Sequence, residues 1–149
     1  MMTTLRTILL AEDNANDVEL TLAALRSNHV ANSIVVVRDG AEALDYLYRR
    51  GAFASRPIEP PGLILLDLKM PKVDGLEVLR TVKADPMLRI TPVVVLTSSR
   101  EESDLLRTYD LGVNAYVVKP VVFNDFMEAV RVLGQFWAVV NQPPPPGKD

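Results

Sequence analysis

The chain has 149 residues, with 16 Lys and Arg against 19 Asp and Glu for a formal charge of −3, one His and no Cys. That length suits one domain burying roughly 70% of its unfolded surface, and 48% hydrophobic with 23% charged residues excludes a disordered chain. The charge balance gives no basic footprint for nucleic acid, the lack of Cys excludes disulfides, iron–sulfur clusters and a thiol nucleophile, and one His cannot build a multi-histidine zinc site.

The start of the chain, Met1 to Leu10, has an apolar core of only a few residues and meets Glu12 and Asp13 at once, so it does not read as a signal peptide. No apolar run approaches the roughly 20 residues that a bilayer helix needs. The expected location is cytoplasmic, with neither membrane nor nucleic acid as a partner. Thr7–Ala11 is a first strand, rich in Ile and Leu, and helical spacing follows over about Asp17–Ser27. Ser33–Val37 is a second strand and Ala41–Arg50 a second helix. Gly51–Pro61, broken by Pro57, Pro60 and Pro61, reads as a long surface loop. Gly62–Leu66 is the third strand, Gly75–Ala84 the third helix, Pro92–Leu96 the fourth strand and Glu102–Leu111 the fourth helix. Tyr116–Val118 is a short fifth strand, and Phe123–Val140 the last helix. Residues 1–141 are expected to form one domain. Residues 142–149, with four consecutive prolines, are expected to form an extended tail.

The strand runs show little polar alternation, as strands covered on both faces should. Five alternations of strand and helix imply an α/β fold, a single doubly wound five-stranded parallel sheet of order 2-1-3-4-5 flanked by five helices. Ligands of such sheets bind beyond the carboxyl ends of the strands. The first strand ends at Glu12 and Asp13, the third at Asp67, the fourth at Thr97 and the fifth at Lys119. Three carboxylates, a hydroxyl and an ammonium therefore converge on one edge.

Crowded carboxylates must take up protons or a cation. Oxygen ligands without His or Cys suit Mg2+ or Mn2+, and Mg2+ leaves coordination places for a phosphoryl oxygen. Lys119 adds positive charge and Thr97 a neutral hydrogen bond. The arrangement suits phosphoryl transfer, which depends on positioning and on neutralising charge. No Walker loop of the form GxxxxGK(S/T) is present, and one carboxylate can itself be the nucleophile and become an aspartyl phosphate.

With these residues in hand, the chain resembles the receiver domain of two-component response regulators, the CheY-like superfamily with its flavodoxin-like fold, across nearly all of Thr7–Val140. The motifs that carry the likeness are Glu12–Asp13, the run Asp67-Leu68-Lys69-Met70-Pro71-Lys72-Val73-Asp74-Gly75, then Leu96-Thr97-Ser98 and Tyr116-Val117-Val118-Lys119-Pro120. The resemblance implies that Asp67 is the phosphoacceptor, charged by a sensor histidine kinase. It implies that Asp13, Asp67 and the backbone carbonyl of Lys69 hold Mg2+ directly, with Glu12 acting through a metal-bound water. Thr97 and Lys119 would contact the phosphoryl oxygens, and the Lys119–Pro120 bond would be cis. Tyr116 would rotate behind Thr97 when phosphate arrives. Asn14-Ala15-Asn16-Asp17, Ala43-Leu44-Asp45-Tyr46-Leu47, the loop near Gly51 and Leu133-Gly134-Gln135-Phe136-Trp137 are similar to the stand-alone regulators of bacterial phytochrome-type kinases.

In the last helix Phe123, Phe126, Val130, Leu133 and Trp137 form a stripe that should cover the sheet. Ala129, Val132, Phe136 and Val139 or Val140 lie off it, and if exposed they mark a partner surface. The resemblance points to a homodimer through the fourth helix, fifth strand and last helix, with Val132 and Phe136 in the interface. The side chain of Lys69, two residues past the phosphoacceptor, is expected to alter phosphate lifetime. Two further readings stand beside the first. One is a Mg2+-dependent aspartyl phosphatase, weakened because Lys69 stands where many such enzymes place a second Asp; the other is a relay to a histidine phosphotransfer protein. The chain is not expected to be a dedicated enzyme, beyond taking phosphate from a donor and releasing it by its own hydrolysis.

Overall fold

The computed structural model describes residues 6–28, 30, 32–98 and 115–132. Strands β1 (Ile8–Ala11), β2 (Ile34–Val37), β3 (Leu63–Asp67), β4 (Val93–Thr97) and β5 (Tyr116–Val118) form one parallel sheet in the order β2-β1-β3-β4-β5. Helices α1 (Ala15–Arg26), α2 (Gly40–Tyr48), α3 (Gly75–Ala84) and α4 (Phe123–Val132) flank it. The helix expected over Glu102–Leu111 and the tail from residue 142 lie outside the described residues, as does the part of the last helix expected beyond Val132.

Side chains alternate across the sheet and so divide the core in two. On one face Ile8, Leu10, Leu63, Leu65, Val94, Leu96 and Val117 pack on Val18 and Leu25 of α1 and on Phe126, Ala129 and Val130 of α4. On the other, Leu9, Ala11, Ile64, Leu66, Val93 and Val95 meet Ala43 and Leu47 of α2 and Val78, Leu79 and Val82 of α3. Burying each such aliphatic side chain contributes roughly 1.5–3 kcal/mol, so the two layers together fix the sheet between its helices.

Local chemistry sets where each helix begins. Asn14, Asp39 and Asp74 are extended N-caps whose side chains accept from the backbone N–H of Asp17, Glu42 and Glu77. Consequently α1 and α2 begin earlier than their apolar spacing suggests. The second ends at Tyr48 because Arg49 turns left-handed, at φ 57°. Two strands also run one residue further than their apolar character indicates. Asp67 pairs with Leu96, and Thr97 with Val118, so both polar residues are the last members of their strands. The second strand departs from the expectation of two covered faces. It lies at the sheet edge, and Ile34, Val35 and Val36 are only half-buried.

The segment 51–61 is not wholly irregular. Gly51–Phe53 forms one 3-10 turn, and Phe53 meets the Tyr46 ring edge-on at 5.1 Å between centroids. Arg56 fastens the rest. Its guanidinium donates to the carbonyls of Tyr46 at 2.6 Å, Leu47 at 3.3 Å, Pro57 at 2.8 Å and Glu59 at 2.9 Å. It also stacks over the Tyr46 ring at 4.3 Å.

Candidate functional site

The carboxyl ends of β1, β3, β4 and β5 converge as the strand order requires. Glu12 follows β1 with its backbone N–H still paired to the Val37 carbonyl at 3.0 Å, and Asp13 comes next, exposed. Asp67 ends β3, and its neighbour in sequence, Leu68, accepts from Gly75 N–H at 2.8 Å. This closes the Leu68–Asp74 loop over the head of α3, with Lys69 exposed at its start. Carboxylate oxygens of Glu12, Asp13 and Asp67 all lie within 4.8 Å of one another.

Lys119 follows β5, its backbone N–H donating to the Thr97 carbonyl at 2.7 Å, and its peptide bond to Pro120 is cis. The ammonium reaches 3.2 Å from Glu12 Oε1, 3.5 Å from Asp67 Oδ1 and 3.0 Å from Asp17 Oδ2. Burial alone would lower the lysine pKa, but Asp17, Asp67 and Glu12 together raise it above its ordinary value. Glu12 has no exposed surface, and its pKa is raised to about 7 by that burial, by a hydrogen bond shared with Asp67 and by the Asp67 charge. Burial first, and the crowded Asp67 second, have therefore moved a proton affinity into the neutral range, even with an ammonium alongside.

The Thr97 hydroxyl is fully buried and has no hydrogen-bond partner among the described residues. Such a group costs stability unless something donates to it or accepts from it. Tyr116, at the start of β5, is half-buried against the α2–α3 side of the core. In the last helix Phe126 and Val130 are buried and Phe123 half-buried, as the stripe implies. Ala129 departs from the second set: it is buried, since its small side chain sits close under the helix on the core face. Val132 is 53% exposed, and Phe136 lies outside the described residues.

Spacing did not single out Asp17 as a member of this site. It stands in the first turn of α1, where a carboxylate is accounted for by the helix dipole alone. The pairing with Lys119 joins residues 102 positions apart, and only the assembled sheet brings them together. What the sequence does offer is its place at the end of the run Asn14-Ala15-Asn16-Asp17, directly after Glu12–Asp13, which says nothing of Lys119.

Hard oxygen donors, one of them protonating near neutrality, and a buried hydroxyl at the end of β4 with no partner among the described residues fit a small divalent cation together with an oxyanion. A doubly wound parallel sheet with this acidic edge and a lysine directly after its last strand defines a receiver-type α/β domain. The chain belongs to the response regulator receiver domain family, whose model matches residues 8–131. It is similar to the bacteriophytochrome response regulator AtBRR, with 61% identity and a TM-score of 0.90 over 94% of this chain and 100% of that one. It is also similar to the phosphorylated cyanobacterial phytochrome response regulator RcpA, with 42% identity and a TM-score of 0.71 over 90% of this chain and 94% of that one. Response regulator Rcp1 of Synechocystis is 39% identical over 132 residues, 89% of this chain and 88% of that protein. A solved structure of Rcp1 is a Mn2+-bound form, matched here with a TM-score of 0.70. Among the described residues no helix is long and apolar enough to cross a membrane.

Proposed function

We propose that this receiver domain accepts a phosphoryl group on Asp67 from a sensor histidine kinase and signals through the change that follows. The observation that carries this reading is the gathering of Glu12, Asp13 and Asp67 within 4.8 Å beneath the Lys119 ammonium. An Asp67 carboxylate oxygen attacks phosphorus, an O–P bond forms, the N–P bond of the phosphohistidine breaks, and the electron pair returns to the imidazole. Lys119 offsets the added negative charge, and the Thr97 hydroxyl donates to a phosphoryl oxygen. Glu12, Asp13, Asp67 and the Lys69 carbonyl would hold Mg2+, or Mn2+ in its place, which when bound supplies charge neutralisation at the phosphoryl oxygens.

A phytochrome-type kinase is the partner we favour, since the 61% identical relative is a bacteriophytochrome response regulator and RcpA a phytochrome one. Phosphate can shift the domain only by binding one of two states better, and Thr97 with Tyr116 is the pair we assign to that switch. The face we assign to a second copy is the β5–α4 side, a reading supported by the exposed Val118, Val122 and Val132.

Incubation with a small phosphodonor, with and without Mg2+, tests the reading by mass and by oligomeric state. One added phosphoryl group is expected, requiring Mg2+ and lost in Asp67→Asn, with a change from monomer to dimer. Continuous turnover of small phosphate esters would instead favour an aspartyl phosphatase, and no uptake at all would overturn the proposal.

A further inference from the structure

We infer that Asp17 is a positioning residue for Lys119, drawing its ammonium to the rim of the acidic pocket so that the carboxylates stay open to a divalent cation. The inference rests on the reading of the pocket given above and deepens it. An ammonium has three donors, and Lys119 has three carboxylate neighbours for them. The shortest separation, 3.0 Å, is to Asp17, and the longest, 3.5 Å, is to Asp67. Asp17 is not one of the three acids that lie within 4.8 Å of one another. The ammonium is thus shared between Glu12 of the cluster and a carboxylate outside it, and it lies nearer to that outer carboxylate than to Asp67.

Asp17 is held where it can do this. Its backbone N–H donates to Asn14 Oδ1 at 2.9 Å, and the Asn14 N–H donates to Glu12 Oε2 at 3.2 Å. With Lys119 bridging Asp17 Oδ2 and Glu12 Oε1, these contacts close a ring through Glu12, Asn14, Asp17 and Lys119. Without the Asp17 charge, Lys119 keeps only Glu12 and Asp67 as counter-charges among the described residues. Its ammonium then settles on those two oxygens and competes with a metal ion for them. The bland account is that Asp17 merely complements the dipole of α1. That account requires no lysine.

A double-mutant cycle separates the two, using Asp17→Asn, Lys119→Met and their combination, with Mn2+ alone as the probe and its binding followed by calorimetry or paramagnetic resonance. In the Lys119 background, Asp17→Asn is expected to weaken Mn2+ binding roughly 10-fold, the scale of losses when an outer partner of a metal site is removed. In the Lys119→Met background the same change should matter by less than about twofold, because the residue through which it acts is gone. Equal losses in both backgrounds, or none in either, would overturn the inference. Thermal unfolding of each variant accompanies the titrations. If Asp17→Asn does not fold, Asp17→Glu keeps the helix charge but displaces the carboxylate, and an affinity equal to wild type in the Lys119 background would likewise count against positioning. Wild-type protein that binds no Mn2+ and takes no phosphoryl group would sink the underlying function as well. Wild type that does both, with Asp17→Asn indistinguishable from it, would remove the positioning role alone.

Discussion

Gly75 lies against the backbone of Asp67 so closely that a Cβ at Gly75 would stand 2.1 Å from the Asp67 carbonyl oxygen and 2.6 Å from the Leu68 Cα. The first residue of α3 is therefore seated on the peptide that carries the proposed phosphoacceptor, and neither atom it would strike is a movable side-chain end. Gly75→Ala is expected to push the Leu68–Asp74 loop outward, at about 1–3 kcal/mol of stability. Urea unfolding should report that loss. Phosphoryl uptake from a small donor should fall by more than the fraction unfolded, because Asp67 itself moves.

The raised Glu12 pKa makes the metal-free protein sensitive to pH in a defined direction. Its ordinary value is 4.5 and its folded value about 7, so between these the folded state binds more protons than the unfolded chain. The stability contributed by protonated Glu12 is complete below 4.5 and lost as pH rises through about 7. Asp85, whose pKa is lowered chiefly by its hydrogen bond from Tyr48, acts in the opposite sense but below its ordinary 3.8, outside this window. Thermal unfolding in chelator should therefore give a higher midpoint at pH 5 than at pH 7.5. Glu12→Gln should flatten that difference, and excess Mg2+ should reverse it, since a bound cation favours the ionised carboxylates.

Much of this architecture is legible without coordinates, because a parallel strand covered on both faces is nearly pure Ile, Leu and Val. The polar residue that interrupts such a run marks its carboxyl end. Asp67 and Thr97 are each displaced by only one residue from that reading, being last in their strands rather than first beyond them. What could not be read depends on distance in the chain. The partnership of Asp17 with Lys119 and the fastening of the 51–61 loop by Arg56 are set by packing, and spacing carries no trace of either. Ala129 lies off the stripe by spacing yet is buried, because a small residue at the edge of a stripe belongs to whichever side closes over it.

Arg56 illustrates a second consequence of that packing. It satisfies the Tyr46 and Leu47 carbonyls at the end of α2 while holding those of Pro57 and Glu59, so one side chain ties the last turn of a helix to the following loop. Arg56→Ala should cost about 1–3 kcal/mol in urea unfolding, and Arg56→Lys should recover little, since an ammonium cannot reproduce the planar fork or its stacking on Tyr46. Limited proteolysis should cut within 51–61 sooner in both variants. Phosphoryl uptake should stay unchanged, because this loop leads into the amino end of β3 and the acidic pocket lies at the carboxyl end.

Thr97 should separate stability from function most cleanly. Its hydroxyl is buried without a partner among the described residues, while its methyl group and backbone belong to a fully buried strand. Thr97→Val keeps the shape and removes the unsatisfied oxygen, so the unphosphorylated protein is expected to become more stable, by about 1 kcal/mol. The same change deletes the hydroxyl assigned to the phosphoryl oxygens, and uptake from a small donor should slow while Mg2+ affinity stays near wild type. Urea unfolding and donor kinetics on one pair of proteins check both halves. A destabilised Thr97→Val would mean that the hydroxyl already has a partner in the resting protein, and an unchanged uptake rate would mean that it makes no contact with the phosphoryl group.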